Sequence, residues 1–311
     1  MKNKCLKILL ICLLIVLIAT GCGREKSKAK YTIIATSFPG YDFARAITKD
    51  VKDVEVKMLL KPGSESHDYE PTPQDIIDIE NCDMFIYVGG ESDSWIDGIL
   101  NDIDTSKVKI IKLMDLVDVI EEEHVEGMED DEDEEIEYDE HVWTNPRNAI
   151  EIIEKLRDEI IVIDYENAAN YIVNSDNYIK AIQDIDIKIR EVIKKSKRKE
   201  LIFGDRFPIL YFVKEYELDY YAAFKGCSEQ SEASAKTISF LIDKVKKDDI
   251  PVVFHIELSN GNIANAIASE TGAKVLEFHT AHNISQKDFD NGLTYVDIMK
   301  KNIEMLKEAL N

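Results

Sequence analysis

Positive charge is in short supply in this chain. Thirty-eight Lys and Arg residues stand against 61 Asp and Glu, a formal net charge of −23 at pH 7. Such a body repels nucleic acid and anionic membrane and attracts cations. It also carries no basic patch interleaved with aromatics, which argues against nucleic acid as a partner. Cysteine is scarce too, with five in 311 residues. Cys5 and Cys12 lie in the apolar N-terminal segment. Cys82 and Cys227 sit among apolar or small residues without metal-ligand spacing, as a pair or as two buried thiols. The six histidines are scattered, and the H-E-x-x-H signature of a zinc hydrolase is missing.

Long apolar runs are also lacking. The longest, Ile8–Ala19, falls short of the roughly 20 residues that span a bilayer comfortably. It follows Lys2, Lys4 and Lys7 and precedes Thr20-Gly21-Cys22, the layout of a secretion signal over residues 1–21. This end resembles a bacterial lipobox, with Ala19 where leucine is commoner. It implies cleavage before Cys22, lipidation of that cysteine and an extracytoplasmic body anchored to the cell membrane. Loss of the signal removes three lysines and no acid, so the mature chain is more acidic still. Residues 22–30, with Arg24, Lys26, Lys28 and Lys30, form a polar tether suited to anionic headgroups.

The body reads as α/β. Strand-length apolar runs at Tyr31–Ala35, Val54–Leu60, Met84–Val88 and Val108–Leu113 alternate with helical patterns, as in a parallel sheet covered by helices. A second series, Glu200–Phe203, Leu218–Ala222, Val252–Ile256 and Ala273–Phe278, repeats the arrangement. Two lobes are expected, over 31–163 and 200–311. The stretch 164–199 between them has no Gly or Pro and carries one apolar stripe: Tyr171, Tyr178, Ile182, Ile185, Ile189 and Val192. It predicts a long rigid helix packed across both lobes, a connector that restrains hinge motion. An acidic segment within 118–140 interrupts the first lobe. Charge of one sign at that density predicts an exposed mobile loop, solubilising or cation-gathering.

Histidines recur where a parallel sheet binds ligands, beyond the C-terminal ends of strands. His67 follows the strand ending near Leu60, in "GSESHDYEPTP". His141 stands just before Asn145-Pro146, a helix cap followed by proline at the first turn. Asp205 is expected two residues beyond a strand, and His279 immediately after another. His67 and His141 from one lobe and Asp205 and His279 from the other would make a nearly complete shell for a divalent ion. Asp68, Glu70, Asp139 and Glu140 are placed to fix the imidazole tautomers. Glu257 is a reserve ligand. His255 reads as a core residue and His124 as a solvated one. His282 reads as part of the His279 loop or as a cap of the next segment.

The chain resembles the solute-binding lipoproteins of ABC-type zinc and manganese transporters. The resemblance rests on Cys22, "HDYEPTPQD" (67–75), "DEHVWTNPRNA" (139–149), the long central helix, "SEASAKTI" (231–238) and the segment 256–276. It implies two α/β lobes joined by one backbone helix, and one metal ion in the cleft, passed by a monomeric protein to a membrane permease without catalysis. By position it makes His67 and His141 the first two ligands and puts His279 where the family usually has a carboxylate. The family's third ligand position, a histidine or glutamate, falls on Gly204. Asp205 or a water is the substitute expected there, and Arg206 is an unexplained cation. An imidazole-rich shell favours zinc, with manganese second. A surface adhesin that keeps the fold and a secreted zinc hydrolase are the alternatives.

Overall fold

The computed structural model describes residues 29–64, 69–128, 137–226, 228 and 232–311. His67, Cys22, the signal segment and Cys227 lie outside them. Strands β1 (Tyr31–Ala35), β2 (Val54–Met58), β3 (Met84–Tyr87) and β4 (Lys109–Lys112) form one sheet in the order β2-β1-β3-β4. Strands β5 (Glu200–Phe207), β6 (Asp219–Lys225), β7 (Val252–His255) and β8 (Lys274–Glu277) form a second in the order β6-β5-β7-β8. Every pairing is parallel, with registers such as Ile33↔Met84 and Phe203↔Phe254. Each sheet steps outward both ways from its first strand, so each has a crevice beside that strand's C-terminal end.

The helices are α1 (Phe38–Ile47), α2 (Pro73–Glu80), α3 (Trp95–Asp102), α4 (Pro146–Ile163), α5 (Ala168–Lys195), α6 (Leu210–Tyr216), α7 (Ala235–Lys247), α8 (Asn262–Thr271), α9 (Gln286–Asp290) and α10 (Tyr295–Leu310). The sequence signals at their starts are realised. Thr72 and Asp75 form a reciprocal capping box with Pro73 in the first turn. Asn145 caps α4 by accepting the Arg147 N–H at 2.9 Å.

Strand alternation divides the core. Ile33, Ala35, Leu201 and Phe203 face one continuous apolar cluster that includes α5 and α10 residues. Ile34 and Phe85 face a smaller cluster under α2 and α3, and Ile202 faces one under α7 and α8. The cluster shared by both sheets joins the lobes. Helix α5 has 28 residues, about 42 Å at 1.5 Å per residue. It buries Tyr171, Ile179, Ile182, Ile185, Ile189 and Val192. Near its start, the Asn174 side chain donates to the carbonyls of Ile47 and Lys49, and Tyr178 donates to Asp42. Near its end, Arg190 pairs with Glu215, and Asp186 accepts from Tyr216. One stiff element is therefore pinned to both lobes.

One expectation is corrected. Strand β5 runs on to Phe207, so Asp205 lies within the strand and not beyond it; the pairing with β6 shifts register between Phe203 and Arg206. The described residues of the acidic segment are docked in part, although Glu121, His124 and Tyr138 are exposed. Glu121 bridges Tyr138 in antiparallel fashion, Met128 is buried, and Asp139 and Glu140 are fully buried. Apolar Ile120, Val125 and Met128 dock this stem against the core, and the Ile120 N–H donates to the Tyr211 hydroxyl at 3.1 Å.

Candidate metal centre

His141 is built into the first lobe. The Tyr211 hydroxyl donates to the Asp139 carbonyl at 2.8 Å, and the Asp139 N–H donates to the Ile120 carbonyl at 3.0 Å. Asp139 Oδ1 then receives both the backbone N–H of His141 at 2.7 Å and its Nδ1 at 2.8 Å. With Nδ1 committed to the carboxylate, the Nε2 lone pair is the one left for a ligand, as a carboxylate-oriented metal histidine requires. The ring is 1% exposed. Burial pulls its pKa down, but Asp139 and then Glu140 outweigh that and raise it.

Glu140 points the other way along the chain and is clasped by Ser92, whose N–H and hydroxyl both donate to it. Gly90, at φ +78°, lies directly against its carboxylate. A side chain at 90 would collide there, so this glycine is needed both for the turn and for the close approach. Burial raises the Glu140 pKa, opposed chiefly by His141. Next to Ser92 in the chain, Asp93 accepts the N–H groups of Val88 and Gly89 at 2.7 and 3.1 Å.

The second lobe supplies a histidine from the loop after β8, and the one that reaches His141 is His282. The two ring centroids lie 5.2 Å apart. One ligand atom each from Glu140, His141 and His282 fall within 4.8 Å of one another. Glu257, just past β7, holds this loop in place. It accepts the Thr280 N–H at 2.7 Å, the Thr280 hydroxyl at 2.6 Å and the His282 N–H at 3.1 Å. Ala281 takes the left-handed conformation at φ 62° and turns the chain between the two histidines. Trp143 locks the lobes together by donating to the Thr280 carbonyl at 2.9 Å.

His279 faces into its own loop. Its Nδ1 accepts the Ala281 N–H at 3.0 Å, while Asn302 brackets its backbone through the N–H and the carbonyl. It does not share the grouping of His141 and His282. Asp205 is likewise turned inward, with Oδ1 on the Arg206 N–H at 2.9 Å and Oδ2 on the Ile256 N–H at 3.4 Å. At Gly204 a Cβ would stand 2.5 Å from the Ala264 Cα, so α8 leaves no room for any side chain there. His255 donates Nδ1 to the Ile256 carbonyl at 2.9 Å, and His124 is exposed in the acidic stem.

A cavity of about 30 Å³ lies at this meeting point, lined among others by Ser64, His141, Arg206, Glu257, Thr280 and His282. The loop before His67 is fastened to its rim. The Asn283 side chain donates to the Lys61 and Ser64 carbonyls at 3.0 and 2.7 Å, and the Gly63 N–H donates to the Ile284 carbonyl at 2.8 Å. Glu140 and His282 are the members of this grouping that the sequence reading had not put among the candidate ligands. For His282 a signal existed in the i, i+3 pair of "HTAH". Only the left-handed turn at Ala281 decides which of the two faces the cleft.

The comparisons agree with this architecture. The family model of the zinc-uptake complex component A, periplasmic, matches residues 33–309. The high-affinity zinc uptake system protein ZnuA of Bacillus subtilis is 31% identical over 309 residues, 94% of each chain. The zinc-binding lipoprotein AdcA of Streptococcus pneumoniae is 29% identical, and the match covers 97% of this chain but 60% of that longer protein. The crystal structure of the Zn(II)-bound ZnuA-like domain of that AdcA superposes with a TM-score of 0.74 at 27% identity, covering 91% of this chain and 99% of the domain. This chain belongs to the family of periplasmic zinc-uptake component A proteins.

Proposed function

We propose that this protein is the extracytoplasmic binding component of an ABC importer, anchored through Cys22, that captures zinc between its lobes and delivers it to a membrane permease. The observation that carries the reading is the convergence of His141 and His282, one from each lobe, beside Glu140 within 4.8 Å. His67 joins them as the third imidazole in this proposal. It follows Ser64 by three residues, and Ser64 lines the cavity. Asp139 holds His141 in the tautomer that binds metal, and Glu257 is a positioning residue that fixes the His282 loop. The ligand proposal thus moves from His279 and Asp205 to His282 and Glu140.

Two or three neutral imidazoles and a carboxylate make a borderline-soft shell that favours zinc over manganese. The protein acts as a monomeric carrier and not as an enzyme in this reading: its donors serve to hold an ion and to release it. Competition calorimetry on the lipid-free protein tests the proposal. His141→Ala and His282→Ala should each weaken zinc binding by about 10- to 100-fold or more, the range typical of lost metal-site groups, while His124→Ala leaves it unchanged. Manganese outcompeting zinc at equal free concentration would overturn the choice of ion. Zinc binding that survives loss of either histidine would overturn the site.

A further inference from the structure

The metal cavity lies beyond the C-terminal ends of the strands, and the opposite edge of the molecule has a composition of its own. Lys30 leads into β1 there and pairs with Glu166 at 3.6 Å. Helix α5 runs along this edge. Near its start Asn174 donates to the carbonyls of Ile47 and Lys49, in the turn between α1 and β2. Its end leads through residues 196–199 into the start of β5. The buried stripe of α5 faces the shared core, so the other side is turned outward. On it Val173, Lys180, Ile187 and Lys194, seven residues apart, are all exposed.

Apolar and positive groups gather on this edge. Among the described residues, Val162, Tyr165, Ile172, Val173 and Ile187 are exposed large apolar side chains of α4, α5 and the turn between them, Tyr165 at 81%. "KKSKRK" (194–199) is the densest run of positive charge in a chain of net charge −23. Lys194, Lys195 and Lys197 are exposed and make no ion pair among the described residues. Asp176, Asp184 and Glu191 share the outer face of α5, and Glu123 and Glu126 share a hollow with Arg198 and Lys199. Free positive charge is therefore concentrated on the first three lysines. The net charge opposes contact with anionic lipid, but at physiological ionic strength screening acts over about 8 Å. Acids on the far side count for little against lysines that touch headgroups. The chain from Cys22 to Ala29 reaches at most about 25 Å, so a lipid on Cys22 keeps this edge near the bilayer. Resting on the lipid-anchor reading above, we propose that the outer face of α5 and the α4–α5 turn dock on an anionic bilayer surface. Val162, Tyr165 and Val173 enter the interface beside the tether, and Lys194, Lys195 and Lys197 meet lipid phosphates at the far end. The metal cleft then opens away from the lipid, the orientation suited to capture.

Flotation of the lipid-free protein with vesicles tests docking apart from the anchor. At low ionic strength, binding to phosphatidylglycerol vesicles should exceed binding to phosphatidylcholine vesicles by at least about tenfold, and high salt should abolish the difference. Replacing Lys194, Lys195 and Lys197 together by Gln should remove the preference and leave the melting temperature unchanged. Val162→Ser combined with Val173→Ser should weaken binding to phosphatidylglycerol vesicles, and this second variant with the wild-type salt dependence decides if the first does not fold. In the lipidated chain, a photoactivatable phosphatidylglycerol should cross-link to residues 162–195 and not to Leu258 at the rim of the metal cavity. Equal binding to both lipids, a preference that survives the lysine replacement, or cross-links concentrated at Leu258 would overturn the proposal. A chain that carries no lipid on Cys22 but shows the flotation preference fails the anchor reading alone, which keeps the two claims separable.

Discussion

His141 illustrates how much one carboxylate governs at the scale of a single residue. Asp139 both orients the ring and raises its pKa against the pull of burial. A proton and a metal ion compete for Nε2, and the unperturbed imidazole titrates near pH 6.5. Because the folded pKa is raised, the competing proton should begin to bind above that range. Zinc affinity should therefore fall as pH drops from about 8 to about 6, steepening on the way down. Calorimetry across that interval checks this, and a flat profile would argue against imidazole ligation. Asp93 works in the opposite sense for stability. Burial raises its carboxyl to about 7, whereas the unfolded group ionises near pH 4. Between those values the folded state binds the extra proton, so this group's contribution to stability declines as pH rises through 7. Asp93→Asn keeps an oxygen for the Val88 and Gly89 N–H groups and cannot ionise. Its melting temperature relative to wild type should be more favourable at about pH 8 than at about pH 5 in the metal-free protein. An equal difference at both would show that the carboxyl does not titrate in that window.

Among elements, the eight strands, the cap of α2 at Thr72 and the start of α4 at Asn145 were legible in the sequence, because β-α alternation and capping chemistry are local. The end of β5 was not. Gly204 reads only as a missing ligand. It is also the place where α8 comes so close that only glycine fits, a tertiary fact with no local signature. The same contact explains why no ligand stands there. Gly204→Ala should overpack this contact and cost about 1–3 kcal/mol, seen as a lowered denaturant midpoint, while the folded fraction retains its zinc affinity. An unchanged midpoint would mean that α8 yields freely. Which of His279 and His282 lies beside His141 was illegible for a related reason. Both follow β8, and the left-handed turn at Ala281 with the Glu257 clamp decides between them. Charge counting gave no sign of the apolar residues Ile120, Val125 and Met128 that dock the stem of the acidic segment.

Across the whole molecule, one apolar cluster and one stiff helix hold two sheets of the same topology with their strand ends facing a common crevice. Trp143 donating to Thr280 ties the loop of one lobe to that of the other, so the histidines are set in place by the fold before any ion arrives. A site assembled this way spends little on closure. Its most direct test is the anomalous difference map of zinc-soaked crystals, recorded on both sides of the zinc absorption edge. The account predicts one strong peak about 2.0–2.1 Å from Nε2 of His141 and from a ring nitrogen of His282. A peak at His279 or in the acidic stem, with His141 and His282 left uncoordinated, would contradict it.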